Sequence, residues 1–106
     1  MELEKVVRKI SAQCKEKYKG NFRFAFFNDA NNDLQIVCII SSEDIYGIGS
    51  HKYKFLCFNE RLEKTGFINI EEEKDNVYLA EVYTMTSVRG RGIAKELNHI
   101  MNYYVK

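Results

Sequence analysis

The sequence contains no proline and no tryptophan, and its charges almost cancel, with 16 Lys+Arg against 15 Asp+Glu. Without proline, no proline-rich linker divides the chain. A net charge of +1 argues against a strongly basic nucleic-acid binder, leaving only a local patch open. Long apolar runs are missing as well. The longest, Ile36 to Ile40, is strand-sized, against the roughly 20 residues of a membrane span. Cysteine is sparse: Cys14, Cys38 and Cys57 are odd in number and show no CxxC spacing. That pattern gives neither a disulfide framework nor a metal site, and it suits a reducing, cytoplasmic setting with each thiol as a small buried hydrophobe. The opening Met1-Glu2-Leu3-Glu4 is polar and acidic, unlike a secretory signal.

What is present is ordinary globular chemistry. The 106 residues are 45% hydrophobic and 29% charged, enough for one domain with one core. Seven Tyr and seven Phe carry the aromatic bulk that tryptophan does not.

Periodicity organises the chain. Leu3, Val6, Val7, Ile10 and Cys14 fall on one face of a helix over 2–18. Gly20 is its expected stop, in the left-handed conformation that needs no Cβ. Alternation predicts strands over 21–28, 34–41, 51–59, 65–72 and 77–85. The second is apolar on both faces and so central. Asn28 to Asp33 is turn chemistry; its alternating oxygens suggest a calcium loop, but the central Gly and distal Glu of that motif are missing. Gly47-Ile48-Gly49 reads as a flexible connector. A last helix runs from about Gly90 to Tyr104, with Ile93, Leu97, Ile100, Met101 and Tyr104 on one face. Short connections make the sheet mostly antiparallel, and the class is α+β: five strands with an N-terminal and a C-terminal helix.

The stretch richest in chemistry is Tyr83-Thr84-Met85-Thr86-Ser87-Val88-Arg89-Gly90-Arg91-Gly92-Ile93-Ala94. A strand ends, a basic glycine-rich turn follows, and a helix begins. Free N–H groups and the helix dipole favour an anion there. Gly90 and Gly92 let a phosphate approach the backbone, and Arg89 and Arg91 add charge. The Walker lysine pattern is absent, and Lys95 stands where a GxGxxG motif needs its third glycine.

Arg89-x-x-Gly92-x-Ala94 matches the Arg/Gln-x-x-Gly-x-Gly/Ala signature of the GNAT acetyltransferases, and the element order over about residues 50–106 resembles that family. Within the single domain, a helix and hairpin over 1–49, unusual for the family, precede a half over 50–106 that resembles the GNAT (acyl-CoA N-acyltransferase) fold. The resemblance implies acetyl-CoA as co-substrate. Val88, Arg89, Gly90, Arg91, Gly92, Ile93 and Ala94 would hold the diphosphate, and Tyr83, Thr84 and Met85 would offer backbone groups to the pantetheine. The implied activity is N-acetyl transfer to an amine on a small molecule or protein. Glu81, counted on one face with Leu79 and Tyr83, is the candidate base, and Tyr83 is among the tyrosines able to serve as acid.

In the family, further elements follow this helix, and the pantetheine lies in a splay beside the strand before the turn. Two arrangements would fill that place here. In a permuted one, helix 2–18 and strands 21–28 and 34–41 lie beside strand 77–85; in the other, a homodimer or protein partner completes the sheet. A competing reading is a non-catalytic GNAT-like interaction protein, such as a phage or mobile-element inhibitor of a host protein. A nucleic-acid module built on Arg23, Lys52, Lys54, Arg89 and Arg91 is disfavoured by the net charge.

Overall fold

A computed structural model describes residues 3–43, 50–73, 76–85 and 89–105, with side chains described at all of these except 43, 50, 72, 73 and 76–82. The elements run α1 (Leu3–Lys17), β1 (Asn21–Asn28), β2 (Leu34–Glu43), β3 (Ser50–Asn59), β4 (Lys64–Glu73), β5 (Asn76–Thr84) and α2 (Ile93–Tyr104). All five strands form one antiparallel sheet in the order β1-β2-β3-β4-β5. The α+β class and its two terminal helices follow the sequence expectation.

The helices cover opposite faces. Alternation in β2 and β3 sends Ile36, Cys38, Ile40, Leu56 and Phe58 toward Ile10 and Cys14 of α1. It sends Val37, Ile39, Phe55 and Cys57 toward Ile93 and Leu97 of α2, with Ile68 and Ile70 from β4. The middle of the sheet is therefore dry on both sides, which is why β2 reads as a continuous apolar run. Burying each of the Ile, Val, Leu and Phe side chains among them contributes about 1.5–3 kcal/mol. The apolar faces counted for the two helices are the faces that pack.

The sheet order corrects one expectation. β3 and β4 separate β2 from β5, so β1 and β2 do not lie beside β5. The permuted arrangement is not formed. Among the described residues, β5 pairs with β4 alone.

Two hairpins close with the same turn, though the sequence shows no repeat. In 29–33, Asp29 N donates to Asp33 O, Asn32 N donates to Asp29 O, and Asp29 Oδ1 accepts from Asn31 N and Asp33 N. In 59–63, Asn59 makes the same four contacts with Glu63, Leu62 and Arg61. Asn32 and Leu62 both take positive φ, 63° and 67°. Asparagine tolerates this readily. Leucine does not, and packing of Leu62 against the α1-side core offsets the strain.

Two register shifts shape the sheet where α2 docks. Cys57 pairs with Gly66 and Phe58 with Lys64, which makes Thr65 the extra residue of a bulge. Asn69 pairs with Glu81 and Ile70 with Leu79, which makes Ala80 the extra residue of a second. Beside the first bulge, Gly66 provides a seat for α2. A Cβ there would lie 3.0 Å from Tyr83 O and 3.3 Å from both Ile93 Cγ2 and Leu97 Cδ1. The absent side chain lets the first turns of α2 settle onto β4.

Candidate functional site

The turn leading into α2 is built by glycine. Gly90 and Gly92 have φ of 85° and 78°, and Gly92 is the N-cap residue, with no side-chain cap bond. These conformations hold off helix formation until Ile93, so α2 begins three residues later than the expected Gly90. The first intrahelical bond runs from Glu96 N to Gly92 O at 3.0 Å. The N–H groups of Ile93, Ala94 and Lys95 then have no acceptor within the helix. A Cβ on Gly90 or Gly92 would meet nothing within 4 Å, so the backbone is approachable from outside.

Outside this turn lies an open cleft of about 490 Å³, lined by Tyr83, Thr84, Arg89, Gly90, Gly92, Ile93, Ala94 and Lys95. Seven of the ten residues assigned to the cofactor from the resemblance thus share one concavity. Lys95 joins them; on a helical wheel it is only one more solvated lysine, and its place in the cleft comes from the late start of α2. Tyr83 is 43% exposed and stacks on Phe67 at 5.5 Å between ring centroids.

Met85 and Arg91 lie elsewhere. They line a second cleft of about 430 Å³ between the two hairpin turns, with Asp33, Gln35, Asn59 and Arg61 among its walls. The Arg91 guanidinium stands 3.9 Å from Asp29 Oδ2 and 3.8 Å from Asp33 Oδ2. Its carbonyl accepts from Ala30 N at 3.0 Å. Arg91 therefore ties the glycine turn to the β1–β2 hairpin. Arg89 is left as the arginine on the outer cleft. In the second cleft, the Asn59 side-chain amide, 3.0 Å from Glu63 Oε1, and Arg61 hold the Glu63 carboxyl below its usual value.

Val88 lies outside the described residues, as does Gly47-Ile48-Gly49. For Glu81 only the backbone is described, and its Cα stands opposite Asn69. Across the bulge at Ala80 the register shifts, with Leu79 opposite Ile70 and Glu81 opposite Asn69. Neighbouring basic residues have acidic or aromatic company. Lys52 pairs with Glu71 at 3.8 Å, and Lys54 lies 5.2 Å from the Tyr18 ring centroid.

Beneath the turn runs a buried polar chain that sequence reasoning missed. Gln35 Nε2 donates to Asp29 Oδ2 at 3.2 Å. Gln35 Oε1 accepts from Thr65 Oγ1 at 2.8 Å and from Cys57 Sγ at 3.4 Å. The Thr65 bulge turns its hydroxyl to Gln35 and its carbonyl to Met85 N, 2.9 Å away. Burial, helped by the Asp29 charge and opposed by Thr65, pushes the Cys57 thiol up to about 12. The available signal was the Gln at the start of an otherwise apolar strand, a polar side chain that must find partners when buried. Among the described residues, no group of three or more His, Cys, Asp or Glu is placed to hold a metal ion. No described helix is long and apolar enough to cross a membrane. Comparison with protein-family models, curated proteins and solved structures finds no match to this chain.

Proposed function

We propose that this chain is a GNAT-like acyl-CoA-binding domain, with the turn over 89–95 taking the diphosphate of acetyl-CoA. One observation carries the reading: an uncapped helix N-terminus, entered through two positive-φ glycines, opens on a cleft that also holds Arg89 and Lys95. Backbone donors and the helix dipole favour an anion by about 0.3–1 kcal/mol, and by up to ~2 kcal/mol where partly buried. The two cations add to that.

The reaction it would support is acetyl transfer to an amine. A base takes a proton from the ammonium, the amine attacks the thioester carbonyl, and the departing CoA thiolate takes a proton from an acid. Glu81 is the proposed base and Tyr83 the proposed acid. The bulge at Ala80 is a backbone irregularity of the kind found beside active sites, next to Glu81.

Calorimetric titration with acetyl-CoA and CoA tests this, using Gly92→Asp and Gly92→Asn. Both residues tolerate positive φ, and their Cβ meets open space. The aspartate is expected to weaken binding by about tenfold or more, equivalent to ~1.4 kcal/mol, while the asparagine keeps most of it. Equal loss in both would assign the effect to shape and not charge.

A second reading rests on the outer edge of β5, which among the described residues pairs with no strand. Such an edge accepts a strand from another chain. A homodimer or a host protein held by a non-catalytic GNAT-like inhibitor would use it. Absence of CoA binding at millimolar ligand would favour that reading.

A further inference from the structure

All three cysteines are free and buried, but the fold sorts them. Cys57 lies in the core beneath α2, whereas Cys14 and Cys38 share the core beneath α1. Ile10 and Cys14, one turn apart, are the buried residues of α1. Leu56 stands opposite Cys38 in the β2–β3 register, and Leu56 and Cys14 line the same cleft. Cys14 thus sits over the Cys38–Leu56 pair. The two thiols are hydrogen-bonded to each other.

Their environments differ. The bond from Cys38 lowers the Cys14 thiol most; burial opposes this, and Lys64 and Lys17 reinforce it. Cys38 is pushed far up by serving as donor, by burial and by the neighbouring Cys14 charge. Cys14 lines a cleft of about 140 Å³ together with Gln13, Glu16, Lys17, Tyr18 and Lys64. Cys38 does not line the cleft on this side of the core, so a solute entering it meets Cys14 first. That space admits a molecule the size of water or a small peroxide.

We propose that Cys14 and Cys38 form a redox site that closes to an intramolecular disulfide on meeting a small peroxide, tying α1 to the centre of β2. In the first step the Cys14 sulfur attacks one peroxide oxygen. The O–O bond breaks, water leaves, and Cys14 becomes a sulfenic acid. In the second, the Cys38 sulfur attacks the Cys14 sulfur. The S–O bond breaks, the Cys38 proton leaves with the hydroxide as a second water, and the S–S bond forms. Two thiols lose two electrons in all, and the peroxide gains them.

The test treats the whole native chain with hydrogen peroxide, alkylates the remaining thiols, and maps the peptides by mass. The expected product has lost about 2 Da, joins the Cys14 and Cys38 peptides, leaves Cys57 as thiol, and returns to the starting mass with a dithiol reductant. Cys57→Ser should react as the parent does. Cys38→Ser should stop at a Cys14 sulfenic acid that a cyclic 1,3-dione traps. If a serine variant does not fold, the peptide map of the parent chain decides alone. A disulfide to Cys57 or between chains would overturn the proposal. So would a Cys14 sulfinic acid beside a free Cys38 thiol, or a native chain that stays reduced while the unfolded chain oxidises.

Discussion

Asp29→Ala is expected to cost about 3 kcal/mol or more of folding stability. The side chain is 0% exposed. It accepts from Asn31 N at 2.9 Å, Asp33 N at 3.0 Å and Gln35 Nε2 at 3.2 Å. Truncation leaves the buried Gln35 amide without its acceptor, and stranded buried donors cost about 1–3 kcal/mol each. It also removes one of the two carboxylates near Arg91. The comparison residue is asparagine. Asp29→Asn keeps an oxygen for the two backbone N–H groups but sets an amide against the Gln35 amide, so its loss is expected to be smaller. Urea unfolding with an unchanged m-value measures both. A cost below about 1 kcal/mol for alanine would mean that the two backbone bonds of the turn suffice. Because Arg91 links this hairpin to the glycine turn, Asp29→Ala should also weaken the proposed CoA binding without touching the outer cleft.

The second large effect belongs to Gly20→Ala, with an expected loss of about 3 kcal/mol or more. Gly20 has φ of 142°, and a Cβ built there would lie 2.3 Å from the Ser41 carbonyl oxygen and 3.0 Å from its carbon. Those atoms are backbone in β2, paired with Asn21 of β1, so no side chain can swing aside to make room. Relief would require β1 to part from β2 at its first pair. Thermal unfolding should show a large drop in Tm, and hydrogen exchange should show lost protection at Asn21 and Phe22. A near-neutral result would contradict the close approach.

Gly20 also shows how far the sequence could be read. A glycine after a helical pattern is read as a left-handed stop. The helix ends three residues earlier, at Lys17, with Tyr18 N bonded to Cys14 O. The glycine instead lets two strands approach, a contact between residues 20 and 41 that no local pattern carries. Helix faces were legible because 3.6-residue periodicity reports burial directly, as in Ile93/Leu97, and the unbroken apolar run Ile36–Ile40 reports a strand covered on both sides. The bulges at Thr65 and Ala80 were not, because a one-residue slip changes pairing without changing composition. The slip at Ala80 sets which β4 residues stand opposite Leu79 and Glu81, and the one at Thr65 brings its hydroxyl to Gln35. Within the candidate site, the glycine turn was legible from its spacing. The division of its two arginines was not: Arg89 and Arg91 look alike in sequence, and only the position of the β1–β2 hairpin gives Arg91 its acidic neighbours. The Cys14–Cys38 contact was illegible for the same reason, since it depends on how α1 lies across β2.

The most direct test is an amide-resolved NMR titration of the whole chain with CoA. Binding at the glycine turn should move the amides of Arg89 to Lys95 first and most, with smaller shifts at Tyr83 and Thr84, and Gly92→Asp should suppress them. Saturating CoA that leaves those amides unmoved, or that moves residues of the second cleft or the β1 edge instead, would contradict a diphosphate site at the start of α2.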